Sequence, residues 1–303
     1  QSYRNPIMSG RSTREPLPMG RMPCTIAVPG GRGMLGTDLS MALAKRGFRV
    51  NGLDLPAWDI CNPQHLSAAL AGADAVINCA AFTNVDGAEG HPERADAVNH
   101  RAVGVLGQLA AEMGLYVIHV STDFVFDGRL DRPYQETDAA NPLNVYGLSK
   151  WRGEQALQAS GCRHAIVRVE WTYGHHGANF VTRFLERALA SDSLMMVADQ
   201  VGAPTWTEDV AAALMQLLQT RAEGLFHYAA AGYASRFDVA EDILRARGLH
   251  GKDLHACRTA DFPAAAERPL NSRFDCRHID DLLSTPRRPW RVALRQFLAA
   301  TPT

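Results

Sequence analysis

The chain has 303 residues, 46% of them hydrophobic and 21% charged, with a formal net charge of -1, the balance of a globular protein holding one large or two modest cores. Near-neutrality excludes a field that would gather nucleic acid or an anionic membrane, so any phosphate-bearing ligand must be held by local donors. No apolar run approaches the roughly 20 residues of a membrane span, and Cys24, Cys61, Cys79, Cys162, Cys257 and Cys276 form no C-x-x-C pair; a cytoplasmic protein with reduced structural thiols and no metal site is expected.

In chain order, residues 1–22 carry Arg, Ser, Pro and Gly without periodicity or the apolar core of a signal peptide, and read as a disordered extension or tag remnant. Thr25-Ile26-Ala27-Val28 reads as a short buried strand. Gly30-Gly31-Arg32-Gly33-Met34-Leu35-Gly36 follows at once, then an apolar-periodic helix through Leu39, Leu43 and Ala44. Gly30, Gly33 and Gly36 permit a tight turn, close approach of a pyrophosphate and close helix-to-strand packing, while the helix start at Met34 and Leu35 offers free N–H groups. Alone a glycine pattern is weak; between a strand and a helix it points to a dinucleotide.

A second strand, Phe48 to Leu53, ends in Asp54, about 20 residues past the glycines, where a carboxylate suits an adenosine ribose and NAD(H). Arg32 inside the turn suits the 2′-phosphate of NADP(H), or is a solvated loop cation. These two residues pull in opposite directions, and both cofactors stay open.

A helix from Pro63 to Leu70 precedes the strand Ala75 to Asn78 and then Cys79-Ala80-Ala81-Phe82-Thr83, whose small residues, Ala80 and Ala81 with Thr83, let a flat cofactor lie against the backbone. A helix from about Asn99 to Met113 leads to the strand Tyr116 to Val120, which delivers Ser121, Thr122 and Asp123 to the same edge. This alternation predicts an α/β, Rossmann-like, doubly wound parallel sheet with helices on both faces. Its dinucleotide-binding domain spans residues 23–170. Residues 171–303 read as a smaller, mixed, mainly substrate-binding domain, with some segments returning to the sheet.

Tyr146 and Lys150 stand four apart at the start of a helix running to about Ala159, so a phenol and an ammonium project from one face. An adjacent ammonium is expected to lower the tyrosine pKa, making Tyr146 a proton donor to a carbonyl. A buried strand, Ala165 to Val169, follows, then Trp171, a helix opened by Asn179-Phe180, the segment Asp199 to Thr205, and Arg268-Pro269-Leu270-Asn271-Ser272. His175 and His176 read as solvated.

From Cys24 to the C-terminus these motifs resemble the extended short-chain dehydrogenase/reductases and, within them, the dTDP-4-dehydrorhamnose reductase family. The resemblance rests on the glycine turn, on Ile77 to Glu89, on the S-T-D-x-V-F-D-G run from Ser121 to Gly128, on Tyr146 to Lys150, on Asp199 to Thr205 and on Arg268 to Ser272. It implies reduction of the C4 ketone of dTDP-4-dehydro-L-rhamnose to dTDP-L-rhamnose by NADPH or NADH. Thr122, Tyr146 and Lys150 would be catalytic, with Lys150 also anchoring the nicotinamide ribose and Asn99 on the cofactor side. Asp123, Trp171, Asn179, Arg268 and Asn271 would meet the nucleotide-sugar substrate, Trp171 alternatively being a core residue. A homodimer is compatible with the resemblance. Two other readings share the fold: an NADP-binding regulatory subunit like that of methionine adenosyltransferase, and another nucleotide-sugar reductase or epimerase. The sequence departs from the family pattern at Val28-Pro29-Gly30, where proline removes a backbone donor near the phosphates, and at Glu170, where a small hydroxyl residue is usual.

Overall fold

Strands such as Thr25-Ile26-Ala27-Val28-Pro29 and Ala75-Val76-Ile77-Asn78 are apolar at successive positions, so both faces of their sheet must be covered. The computed structural model describes residues 24–262 and 264–301; the expected extension, residues 1–22, lies outside the described residues. The first part runs β1 (Thr25–Pro29), α1 (Met34–Lys45), β2 (Arg49–Leu53), α2 (Pro63–Leu70), β3 (Ala75–Asn78), α3 (Val85–Gly90), α4 (Pro92–Asp96), α5 (Ala102–Met113), β4 (Tyr116–Thr122), α6 (Val145–Ala159) and β5 (Arg163–Val169). The chain then leaves the sheet through β6 (Thr172–Tyr173), α7 (Phe180–Ala190), β7 (Ser193–Val197), β8 (Val201–Gly202) and β9 (Thr205–Trp206). It returns by α8 (Thr207–Thr220) to β10 (Gly224–Tyr228). Out of the sheet again come β11 (Ala234–Ser235), α9 (Arg236–Ala246), β12 (Asp253–Cys257), α10 (Arg277–Asp280) and α11 (Trp290–Ala300).

The main sheet has six strands in the order β10-β5-β4-β3-β1-β2, and every neighbouring pair is parallel. This is the doubly wound sheet expected from the alternating elements. Ile26, Val28, Ile77, Ile118 and Val167 face α1 and α8; Ala27, Val76, Val117 and Ile166 face Leu66 of α2, Leu106 of α5 and Leu157 of α6. Because β1 pairs with β2 on one side and β3 on the other, the chain reverses its direction of travel there, and a crevice opens beyond the carboxyl ends of β1 and β3. Gly30 closes β1 against Ala80: its φ is +75°, and a Cβ there would lie 2.6 Å from the Ala80 nitrogen. Outside the sheet α7, α9 and α11 enclose a separate core around Phe184, Val239, Ile243 and Phe297.

The helix expected from Asn99 begins earlier, at Pro92, and a π turn over Ala97–Arg101 joins α4 to α5. The wider turn directs Asn99 inward, where its amide bonds Phe82 N and O (2.8 and 3.1 Å) and Ser149 Oγ (2.9 Å). Gly153 of α6 packs against the same turn; a Cβ there would lie 2.0 Å from the Asn99 carbonyl oxygen. Alanine elsewhere in a helix stabilises relative to glycine by about 1 kcal/mol. Gly153→Ala is expected to do the opposite and destabilise by about 1–3 kcal/mol, the scale of forced overpacking. A urea midpoint at or above that of the parent, with unchanged slope, would show that the contact relaxes freely.

Candidate active site

At the start of α1 no side chain among the described residues caps the helix, and no acidic residue stands in its first turn. The first intrahelical acceptors leave the N–H groups of Met34, Leu35 and Gly36 free, and these residues wall a cavity of about 660 Å³ at the crevice. A Cβ on Gly36 would lie 2.0 Å from Gly30 O, so only glycine lets the helix start this close to the strand. Free donors, the positive end of a helix dipole and a side-chain-free turn together suit a pyrophosphate. Gly30, Gly33, Asp54, Ala80, Ala81 and Thr83 line the same cavity.

Two cofactor-side residues lie elsewhere. The Arg32 side chain is exposed and is not a wall of the cavity; its backbone N–H instead donates to Asp54 Oδ2 at 3.0 Å, while Asp54 Oδ1 accepts from Leu55 N at 2.8 Å. Asn99 stands behind the wall and fixes the Phe82 backbone. Pro29 withholds no donor from the turn's free set: the next two N–H groups, of Gly30 and Gly31, turn to Leu53 O at 2.8 and 3.2 Å.

The opposite side of the cavity is formed where β4 meets α6. Thr122 ends β4 and its Oγ1 accepts from Phe124 N at 3.3 Å; Asn144 caps α6 through Gly147 N at 2.8 Å, and a Cβ on Gly147 would lie 2.1 Å from Phe124 O. This contact seats Tyr146 and Lys150 on the cavity wall beside Thr122 and Asp123. Burial pushes the Tyr146 phenol up to about 12, with the Thr122 hydroxyl lowering it and Asp123 raising it. The expected lowering by Lys150 is not realised: desolvation of a phenolate dominates, and the Lys150 nitrogen is turned to Val120 O at 2.7 Å and His119 Nε2 at 3.4 Å. Burial in turn lowers Lys150 to about 8, although Glu154 and Cys79 act to raise it.

Asp123 is buried, accepting from Thr122 Oγ1 at 3.1 Å and Ser272 Oγ at 2.5 Å, and burial raises its carboxyl to about 6 against these bonds and the pull of Arg236. Beside it Glu170 is 1% exposed, and among the described residues neither carboxyl oxygen has a hydrogen bond of normal geometry. Burial first, then Asp123, push this acid well above 4.5; the Ala203 and Phe274 amides and Arg236 oppose them from nearby. Trp171 adopts a left-handed backbone at φ 45°, a conformation costing about 1–3 kcal/mol in a non-glycine residue. It is held by Thr205 N donating to its carbonyl at 3.1 Å and by the Arg236 guanidinium 3.6 Å from its ring centroid.

The remaining expected substrate residues separate. Asn179 lines the cavity but caps α7 with its oxygen and donates to Gly174 O at 2.8 Å. Arg268 makes a two-pronged pair with Asp86 at 2.9 and 2.6 Å and lines a second cavity of about 580 Å³. Asn271 lines neither cavity: its amide donates to Leu130 O and Arg132 O at 2.7 and 2.8 Å. Sequence reasoning missed Arg236, which walls both cavities. A signal existed, since Ser235 and Asp238 form a capping box that places Arg236 in the first turn of α9, where a cation opposes the helix dipole.

The family described as the RmlD substrate binding domain matches residues 24–302. The dTDP-4-dehydrorhamnose reductase of Mycolicibacterium smegmatis is 39% identical over 279 residues, covering 91% of this chain and 85% of that one. Among solved structures, a dTDP-4-dehydrorhamnose reductase from Clostridium acetobutylicum superimposes with a TM-score of 0.87 at 32% identity, covering 91% and 98% of the two chains. One from Bacillus anthracis, in complex with NADP, has a TM-score of 0.87 at 29% identity, covering 92% and 100%.

Because the Glu170 carboxyl is raised above its ordinary 4.5, the unfolded chain loses that proton first as pH rises, and stability is lost from about pH 4.5 upward. Glu170→Gln removes this loss. The variant is expected to resist urea better than the parent at pH 8, the gap closing toward pH 4.5; parallel stability profiles across that range would show Glu170 to be charged and satisfied.

Proposed function

The chain belongs to the dTDP-4-dehydrorhamnose reductase family, in the extended short-chain dehydrogenase/reductase superfamily, and we propose that it reduces the C4 ketone of dTDP-4-dehydro-L-rhamnose to dTDP-L-rhamnose. The reductant is NADPH or NADH and the setting is dTDP-rhamnose biosynthesis. One observation carries the reading: Thr122, Tyr146 and Lys150 meet the free N-terminal N–H groups of α1 across a single cavity.

The nicotinamide cofactor supplies the hydride when bound. Gly30, Gly33 and the N–H groups of Met34, Leu35 and Gly36 would hold its pyrophosphate, the Asp54 carboxylate would suit its adenosine ribose, and Ala80, Ala81 and Thr83 would leave room for the flat ring. Lys150 would anchor the nicotinamide ribose.

The phenol of Tyr146, held near 12, stays protonated at neutral pH and keeps its proton available for the oxygen that becomes the alcohol. Thr122 orients that oxygen from beside it. Asp123 accepts from a sugar hydroxyl, and the Trp171 ring, fixed by Arg236, offers a flat face to the sugar. The nucleotide extends past Arg236 into the second cavity, where a guanidinium suits a diphosphate. Asn179, Asn271 and Asn99 serve by fixing walls, their amide groups being engaged by backbone or by Ser149. A cytoplasmic location belongs to the same reading; among the described residues no helix is long and apolar enough to cross a membrane.

Oxidation of NADPH or NADH on adding a panel of nucleotide-linked 4-keto sugars tests the assignment. Bound NAD without net consumption would favour an epimerase; tight cofactor binding with a captured partner and no turnover would favour a regulatory subunit. Tyr146→Phe is expected to lower turnover by at least about 10²-fold with cofactor binding nearly intact, the scale of a lost general acid. A rate near that of the parent removes the role given to the phenol.

A further inference from the structure

Behind Lys150 a line of polar side chains crosses the interior of the sheet. Asn78 ends β3 and His119 stands beside it on β4 in direct register, both fully buried, while Lys150 reaches toward them from α6. Each member fixes the hydrogen-bonding sense of the next. Ala80 N–H donates to Asn78 Oδ1 at 3.1 Å, which leaves the Asn78 Nδ2 group facing His119 Nδ1 at 3.1 Å. An amide nitrogen only donates, so Nδ1 must accept. Burial keeps this imidazole neutral. A neutral ring whose Nδ1 accepts carries its one proton on Nε2, and Nε2 lies 3.4 Å from Lys150 Nζ.

We propose that His119 is a positioning residue that sets the charge state of Lys150: its Nε2–H, oriented by Asn78, presents a donor to the lysine nitrogen and so favours the amine over the ammonium. An ammonium has three donors and no lone pair, so it meets a second donor at this contact; an amine accepts from it. The other neighbours do not reverse the preference. Val120 O, 2.7 Å away, accepts from either form. Glu154 is engaged by Arg168 at 2.9 and 2.6 Å and by Ser121 Oγ at 2.5 Å, so most of its charge is already answered. Cys79, pushed up to about 12 by burial, stays a thiol. Burial lowers Lys150 to about 8, and the oriented imidazole acts in the same sense. A lysine that titrates near neutrality can release and regain a proton beside Tyr146 during turnover, whereas a permanent cation supplies only a field. That consequence rests on the reductase reading above; the charge state itself does not.

The test uses the full chain without substrate. The sequence has only Lys45, Lys150 and Lys252, so lysine labelled with ¹³C at Cε gives three signals, and Lys150→Met assigns one. Nitrogen-15 labelled histidine, with His119→Gln identifying the ring, reports which ring nitrogen holds the proton. The expected result is a proton on His119 Nε2 and a Lys150 midpoint well below the ordinary lysine value of about 10.4. In His119→Gln the amide oxygen can accept from Lys150, and in Asn78→Leu the imidazole is free to move its proton to Nδ1. Each is expected to raise the Lys150 midpoint by about one pH unit or more, a tenfold change in proton affinity. A wild-type proton on Nδ1 overturns the proposal, as does an unmoved midpoint in a folded His119→Gln. Because no keto sugar is present, neither outcome can be confused with failure of the assigned reaction.

Discussion

Burial of ionisable groups along the carboxyl edge of the sheet is the constraint around which this molecule is arranged. A parallel sheet covered on both faces offers no water to such groups, and desolvation of even one costs several kcal/mol unless partners replace the solvent. Arg168 and Glu154 show the problem solved: both are nearly inaccessible, joined by two hydrogen bonds, with Ser121 on one carboxylate oxygen and Phe126 under the guanidinium at 4.9 Å. Around the cavity the solution is left partial. Tyr146, Lys150, Asp123 and Glu170 are each displaced toward their neutral forms because burial outweighs the partners they have. That is the electrostatic setting in which proton transfer to a ketone is least hindered by water.

The segments that mark the family by sequence do much of their work as supports. Gly128, at φ +71°, closes the S-T-D-x-V-F-D-G run, and a Cβ there would lie 2.6 Å from Leu270 N and Pro269 Cβ. So the run from β4 and the R-P-L-N-S segment interlock through bare backbone. Asn271 then pins the loop at Leu130 and Arg132, and Ser272 reaches Asp123. A residue beside a ligand and a residue holding that neighbour in place are equally tied to the function, and the motif alone does not say which is which. Only the distances separate Asp123, on the cavity wall, from Asn271 behind it.

What was legible in the sequence was what is local. Strand and helix periods, the glycine turn and the four-residue offset of Tyr146 and Lys150 all lie within one element or one connection, so spacing alone places them. The features that spacing left open or misjudged depend on the third dimension. Arg32 sits in the right turn, yet its side chain points to solvent while its N–H holds Asp54, a choice of direction that spacing does not encode. The expected effect of Lys150 on Tyr146 rested on their adjacency and left out the burial that dominates both. His119 read as one more residue of a buried strand, because its relation to Asn78 is a matter of register between β3 and β4. A return of some segments to the sheet was expected, but that it runs through α8 to β10 depends on packing against α1, far away in sequence.

Glu170 shows how a local departure is absorbed by its surroundings. A carboxyl at this position needs volume as well as a proton, and the volume comes from Gly202, where a Cβ would lie 2.7 Å from both Glu170 Oε2 and Trp171 Cε2. The same glycine therefore admits the acid and the strained tryptophan side by side. Arg236 completes the arrangement from the other face, stacked on Trp171 and interacting with both Asp123 and Glu170. Two acids cannot both ionise cheaply next to one cation in a dry site. Asp123, with hydrogen bonds from Ser272 and Thr122, is the better prepared to carry the charge, and Glu170, with none of normal geometry, keeps its proton. A protonated Glu170 thus leaves Arg236 balanced by a single carboxylate at the junction of the two cavities, so an entering phosphate meets a guanidinium that is not already neutralised twice over.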